Sequence, residues 1–348
     1  MRYMQMKKHF CCLLAIWMVL AGLCGCGAGE PVVGEGVASE MKTENRASEN
    51  QASEWEASDE QSPEVSDQES VIFTDDLGRE VTVESHERVA TLIGSFTDIW
   101  MLAGGEVVAT ANDSWESLNL DLGEDVVNLG SIQNPDAEKL IAAQPDLVLA
   151  SANTDGDLAL EELLEQAGIT VAYFSVSDFS EYLHMLDICT DITGKKDLYE
   201  ENGLAVQEQI EAVKERIDGS SPTVLFLRAS SGSVKAKGSD GNVCGEMLAE
   251  LGCINIADSD KGLLEDLSME AIIAADPQYI FVTTQGNDYE AAMKNVEELF
   301  ISNPAWASLS AVQNGNYYVL EKRLFNLKPN ARWGEAYKIL ADILYPER

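Results

Sequence analysis

The sequence predicts an α/β protein of two lobes, each a mostly parallel sheet with flanking helices, joined by one long α-helix. Three observations lead there. Short runs rich in Val, Ile and Thr alternate with helical patterns, the βα signature of parallel sheets. A segment of the first half, Asp136 to Ser151 (DAEKLIAAQPDLVLAS), returns 132 residues later as Ser268 to Thr283 (SMEAIIAADPQYIFVT). Between the halves, Lys195 to Ile217 has no strand signal and places apolar residues at helical spacing.

Taken in order, strands are expected at Val81 to Val83, Val89 to Ile93, Val107 to Ala111, Val126 to Gly130, Leu147 to Ser151 and Thr170 to Ser175. Helical patterns such as LALEELLEQA, Leu158 to Ala167, separate most of them. The repeated segment is a capped helix running into a strand. Asp136 or Ser268 accepts backbone N–H bonds as N-cap, Glu138 or Glu270 sits where the helix dipole favours negative charge, and Pro145 or Pro277 punctuates before a buried strand. Two copies are too few for a solenoid and fit two similar lobes. After the linking helix, Gly219-Ser220-Ser221-Pro222 opens a second alternation: strand Thr223 to Leu227, helix Gly245 to Leu251, the repeated helix and strand ending at Thr284, helix Tyr289 to Phe300, strand Tyr317 to Leu320 and a final helix from Trp333 to Leu344.

The first residues point to export. Arg2, Lys7 and Lys8 precede an apolar run from Phe10 to Leu23, the charged and hydrophobic regions of a secretory signal, too short for a comfortable membrane span. The following Leu23-Cys24-Gly25-Cys26 resembles the bacterial lipoprotein lipobox, which implies lipid on Cys26 as the mature N-terminus. Residues 27–70 are acidic and Ser-rich, with Ala-Ser-Glu recurring at 38–40, 47–49 and 52–54, and read as a self-repelling extended tether. The expected organisation is therefore 1–25 signal, 26–70 lipidated Cys and tether, 71–194 first lobe, 195–218 linking helix and 219–348 second lobe.

A net charge of −37 argues against a nucleic-acid partner, which requires clustered Lys and Arg. Beyond residue 26 only Cys189, Cys244 and Cys253 remain, an odd number that cannot be a complete disulfide framework. Cys244 and Cys253 fall in one helical stretch, where nine residues would separate them by ~13 Å, so free thiols are expected. No G-x-S-x-G elbow, P-loop or loop-borne Cys/His pair suggests an enzyme. Direct Zn²⁺ capture needs several His and carboxylate ligands, and His86 and His184 read as structural.

The order and spacing of FTDDLGREVTV (73–83), ERVATL (87–92), the paired Glu/Pro/strand segments, the linking helix, NPAWASLSAVQNGNYYVL (303–320) and YKILADILYPE (337–347) resemble the substrate-binding proteins of bacterial ABC importers. The class in question is joined by a single rigid helix and binds ferric siderophores, haem or cobalamin. The resemblance spans Val71 to Arg348. It implies a monomeric, lipid-anchored receptor on the extracytoplasmic face of the cell membrane, without enzymatic activity, working with an ABC permease dimer and its ATPase. It also implies that Glu138 and Glu270 dock onto the two permease subunits, one from each lobe.

Ligands of such lobes lie beyond the carboxyl ends of the strands. That rule nominates Ser95, Phe96, Trp115, Ser131 and Asn153 in the first lobe, and Arg228, Thr284, Arg323, Phe325 and Lys328 in the second. Arg228, directly after the strand VLFL, suits an anionic ligand, or else pairs with a neighbouring acid. Arg323, Lys328 and Arg332 form the one basic cluster of an acidic body. Trp115, Phe96 and Phe325 offer aromatic cover, while Trp333 reads as packing. The expected ligand is a ferric siderophore. Cobalamin or haem is the alternative within the class, haem requiring an axial ligand such as Tyr, and a lipid-anchored sensor or adhesion module is the alternative outside it.

Overall fold

The computed structural model describes residues 70–346 apart from 260, 266 and 267; the signal segment, Cys26 and the tether lie outside the described residues. An antiparallel hairpin of β1 (Val71–Thr74) and β2 (Glu80–Val83) opens the body. Its turn is fixed by Asp75, whose carboxylate accepts from the backbone N–H groups of Leu77 and Arg79 and pairs with the Arg79 guanidinium at 2.7 Å.

The first lobe is built on β3 (Val89–Thr91), β4 (Val107–Thr110), β5 (Val127–Asn128), β6 (Leu147–Ser151) and β7 (Thr170–Phe174), all parallel, in the order β5-β4-β3-β6-β7. All five residues of β6 are buried, as a central strand covered by helices on both faces demands. The second lobe uses β8 (Thr223–Ala229), β9 (Val234–Lys237), β10 (Ile254–Asn255), β11 (Tyr279–Thr284) and β12 (Tyr317–Val319). Its parallel order is β10-β8-β11-β12, with β9 turned antiparallel onto β8.

In both sheets the chain winds outward from one central strand and then returns to the other side of it. The reversal falls between β3 and β6 in the first lobe and between β8 and β11 in the second. Such reversals open a crevice at the carboxyl ends of the two strands. The repeated segments supply β6 and β11, the equivalent strands, together with the helices Ala137–Ala142 and Met269–Ala275 that lead into them. Asp136 caps the first helix by accepting from Lys139 N at 3.1 Å, and Ser268 caps the second by accepting from Ala271 N at 3.4 Å.

The link between the lobes is helical from Lys196 to Lys214, where the sequence predicts 195–218. It is interrupted by a π-helical turn, Glu200–Leu204. Gly203 lies there because a Cβ would come within 2.9 Å of Leu183, and the Asn202 carbonyl accepts from Tyr182 Oη at 2.8 Å. The π-turn thus falls where Tyr182 and Leu183 of the preceding helix pack against the link. One apolar core runs through Phe96, Phe174 and Tyr182 of the first lobe, Val206, Ile210 and Val213 of the link, and Phe226, Trp333 and Leu340 of the second. Each fully buried large apolar side chain contributes about 1.5–3 kcal/mol, so a core shared by both lobes opposes wide hinge opening.

Several expectations need adjustment. The strand predicted at Val126 to Gly130 shrinks to the two residues of β5, and the hairpin strand β9 appears where the sequence reading places none. Cys253 lies beyond the helix Val243–Glu250 that contains Cys244, and Cys189, Cys244 and Cys253 are all free. His86 packs edge-on against Trp100 with centroids 6.2 Å apart, and His184 lies 3.8 Å from Asp76. Among the described residues no group of His, Cys, Asp and Glu is placed to hold a metal, and no helix is long and apolar enough to cross a membrane.

Candidate ligand cleft between the lobes

On the first-lobe side, β3 runs into the helix Gly94–Leu102, and Gly94 N donates to Asp113 Oδ1 at 3.0 Å. Only glycine allows this approach: a Cβ on Gly94 would meet Ser114 N at 2.7 Å. Behind it the hydroxyls of Thr91, Thr97, Thr110 and Ser114 bond one another at 2.6–3.1 Å, a closed network that satisfies four buried groups. After β6, the buried Asp157 accepts from Ser151 N at 2.8 Å through Oδ2, while Oδ1 has no partner. Burial raises Asp157 to about 7, and burial also raises Asp113.

The second lobe reaches across with cations. The short helix Lys322–Phe325 after β12 begins with Lys322, whose Nζ donates to Ser117 Oγ at 3.1 Å in the first lobe and to Gly286 O at 2.9 Å in the second. Asn287 Nδ2 donates to Glu116 Oε2 at 2.7 Å beside it. Arg323 pairs with Asp98 at 2.9 Å, and Asn330 Nδ2 donates to Ser95 O at 2.9 Å and to Asp98 Oδ2 at 2.8 Å. Lys328 Nζ lies over the Phe96 ring, 5.5 Å from its centroid, and feels Asp113, Glu181 and Asp157. Burial pushes Lys328 down to about 8 against their attraction.

A second cationic group stands apart from these contacts. Register pairs Arg228 with Lys235 and Phe226 with Lys237, so the three cations share one face of the β8–β9 hairpin. Burial lowers Arg228, and its Nε has no hydrogen-bond partner. Burial first, then the charges of Arg228 and Lys235, lowers Lys237. Among the described residues none of the three forms an ion pair within 4 Å, although the chain carries 60 acids. The reading of Arg228 as half of a local ion pair is therefore replaced by that of a half-buried, unmatched cation at a strand's carboxyl end.

The nominated residues separate accordingly. Lys328 and Arg323 face the first lobe, with Arg323 committed to Asp98, and Arg228 lies at the carboxyl end of β8. Trp115 is half-buried in the turn Asp113–Glu116. Asn153 is exposed after β6 and donates to Ser175 Oγ at 2.8 Å. Ser131 is exposed in a local turn, accepting from Gln133 N at 3.2 Å. Ser95 and Thr284 are buried. The expectation that Phe96 and Phe325 offer aromatic surface is corrected: they are 0% and 1% exposed in the shared core, because the first helix and the last loop pack inward there.

Arg332 leaves the predicted basic cluster by pairing with Glu335 at 2.8 Å. The reading of that cluster as the one concentration of positive charge is corrected by the hairpin. Lys235 and Lys237 are the residues the sequence reading missed; the period-two Val234-Lys235-Ala236-Lys237 after a Ser-Ser-Gly-Ser turn was the signal for them. Asp98, Asp157 and Lys322 had no local signal. Glu138 and Glu270 are both exposed, in the first turns of their helices.

A model of the periplasmic binding protein family matches residues 89–324, most of both lobes. The chain belongs to this family. It is accordingly a substrate-binding component of an ABC importer and not an enzyme. The Bacillus subtilis protein YhfQ, whose name is that of an ABC transporter substrate-binding lipoprotein, is 24% identical over 281 residues, covering 76% of this chain and 84% of its own. The Fe(3+)-citrate-binding protein YfmC of the same organism is 21% identical over 255 residues, 72% of this chain and 78% of its own. The crystal structure of Staphylococcus aureus SirA complexed with staphyloferrin B superposes with a TM-score of 0.62 at 20% identity, over 79% of this chain and 97% of that one. The structural likeness bears on the fold, two lobes about a cleft.

Proposed function

We propose that this substrate-binding protein is a lipid-anchored receptor, held by Cys26 and the acidic tether, that captures an anionic ferric siderophore between its lobes. The observation that supports this most is Arg228 with Lys235 and Lys237, a cationic face without acid partners among the described residues of a chain of net charge −37. Burying an unmatched guanidinium is unfavourable, and an anionic ligand offsets that cost when it binds. Relatives are named for Fe(3+)-citrate and staphyloferrin B and others for haem and vitamin B12, so the choice of an iron chelate rests on the cationic face. Lys328, Trp115 and Asn153 complete the contact set from around the cleft mouth, and Phe96 and Phe325 support it from the core.

In this account binding is the whole of the chemistry. Contacts across the cleft at Lys322, Arg323 and Asn330 and the shared core keep the cleft largely preformed, so little ordering accompanies capture. Glu138 and Glu270 then dock the loaded receptor onto the permease dimer, whose ATPase drives import. Titration of the full-length chain with ferric citrate, a ferric catecholate, a ferric hydroxamate, haem and cobalamin, read by tryptophan fluorescence, tests the ligand class. Saturable submicromolar quenching by one of the anionic iron chelates is expected. Preference for cobalamin or for an uncharged hydroxamate would overturn it.

A further inference from the structure

The two lobes repeat more than a glutamate. In the helices Ala137–Ala142 and Met269–Ala275 the glutamate is followed, three residues on, by an isoleucine that the fold leaves exposed: Ile141 at 37% and Ile273 at 39%. The residue before each, Leu140 and Ile272, is fully buried. A single exposed isoleucine needs no explanation. Two at equivalent positions, exposed to the same degree and at the same offset from equivalent exposed glutamates, do.

The backbone around them is also duplicated at some cost. Gln144 and Asp276 adopt left-handed conformations with φ of +50° and +41°, each directly before a proline. Non-glycine residues rarely sit there, and a following proline disfavours helical backbone of the residue before it. Both lobes keep this strained exit. It sets how each short helix sits on the strand it leads into.

Spacing of three residues puts glutamate and isoleucine on one helix face, and the isoleucine side chain leans back over the turn that bears the glutamate. Each helix reverses at its proline to enter β6 or β11, so its first turn lies toward the carboxyl edge of the sheet, the edge where the cleft opens. Glu138 also borders a surface depression of about 540 Å³ that takes in Leu129, Asn134 and Pro135. An exposed ion pair alone contributes about 0–1 kcal/mol, so two glutamates by themselves make a weak and salt-sensitive contact.

We propose that each docking contact is a pair, Glu138 with Ile141 and Glu270 with Ile273, and that the partner is a membrane protein of two like subunits, each offering a basic pocket beside an apolar one. The inference rests on the docking assignment in the proposed function and adds its apolar half. Charge complementarity sets the basic pocket, the isoleucine sets the apolar one, and the duplication sets the two like subunits.

The test places a photo-crosslinking amino acid at 141 or 273 of the full-length chain in membranes of the cell that makes it. Leu163, 38% exposed on the helix Glu161–Gln166, is the control position. Cross-links from 141 and 273, but not 163, to one and the same integral membrane polypeptide, identified by mass spectrometry, are expected. Cross-links to a second copy of this chain, to lipid alone, or from 141 and 273 to different polypeptides would overturn the proposal. With that polypeptide's purified complex, Ile141→Ser and Ile273→Ser should each weaken binding about fivefold to tenfold, as expected for removing a half-exposed isoleucine from an apolar contact, with unchanged thermal unfolding. Unaltered binding by both isoleucine variants, with loss in Glu138→Lys and Glu270→Lys, would remove the apolar half and leave docking standing. Unaltered binding by all four would remove the docking assignment itself.

Discussion

The two lobes differ where they face each other and agree where they face outward. Across the cleft Lys322, Arg323 and Lys328 of the second lobe meet the charges of Asp98, Asp113, Asp157 and Glu181 of the first, while Arg228, Lys235 and Lys237 share one face of the β8–β9 hairpin. The two short helices that lead into β6 and β11, by contrast, share cap, glutamate, isoleucine, left-handed exit and proline. A ligand is a single asymmetric object, so the walls that hold it are free to diverge. On the proposed docking, a receptor that meets two like subunits has no such freedom. The contrast also sorts the cations: Lys322 and Arg323 engage the first lobe's polar groups, whereas the hairpin trio forms no ion pair among the described residues.

The outward agreement is most sharply broken by charge reversal. Glu138→Lys and Glu270→Lys are each expected to abolish import of the bound chelate in cells while leaving its affinity in solution unchanged; a large effect at one position with none at the other would end the equivalence of the two lobes. Loss of ligand affinity in either would place these residues in the cleft instead.

The acidic wall is sharpened by a stability measurement. Burial raises Asp157 to about 7 from 3.8, so the folded chain holds a proton where the unfolded chain has lost it. Stability from this group is present in full below about pH 4 and is lost as pH rises toward 7. Asp157→Asn should flatten that slope and raise unfolding stability at pH 8 by about 1–3 kcal/mol. An unchanged pH dependence in urea unfolding would contradict the buried, proton-holding carboxyl.

Within the basic wall the lysines should matter less than the arginine they flank. Lys235→Gln with Lys237→Gln is expected to weaken an anionic chelate by about tenfold, and by progressively less as salt is raised. Equal affinity at low salt would confine the ligand to the other side of the cleft. The smallest effect concerns Lys328, which burial lowers to about 8: chelate affinity should be present below that value and fall a few-fold as pH rises through it, a step absent in Lys328→Met. A step that persists in the variant would belong to another group.

The features that could be read from the sequence are those in which local pattern and fold agree. Leu147–Ser151 and Tyr279–Thr284 announce themselves as strands because central parallel strands are apolar on both faces, and the 132-residue repeat marks their equivalence. The linking helix shows as a strandless periodic stretch, whereas its π-turn depends on Tyr182 and Leu183 of another helix and leaves no local mark. The same division runs through the cleft. Arg228 is legible from its place at the end of a strand. Its lack of an acid partner is a property of three-dimensional neighbours, as are the Lys322 bridge from Ser117 to Gly286 and the burial of Phe96 and Phe325, whose aromatic character alone suits either core or cleft.

The unmatched cation is the centre of the account, and one comparison tests it most directly. Affinity of the full-length chain for ferric citrate and for a ferric catecholate would be measured by tryptophan fluorescence alongside its Arg228→Gln variant. Loss of at least about a hundredfold for whichever chelate binds, with unchanged thermal unfolding, is the predicted result, since truncating one partner of a desolvated charge pair costs about 2–5 kcal/mol. Equal affinity in the variant and the parent chain would contradict it.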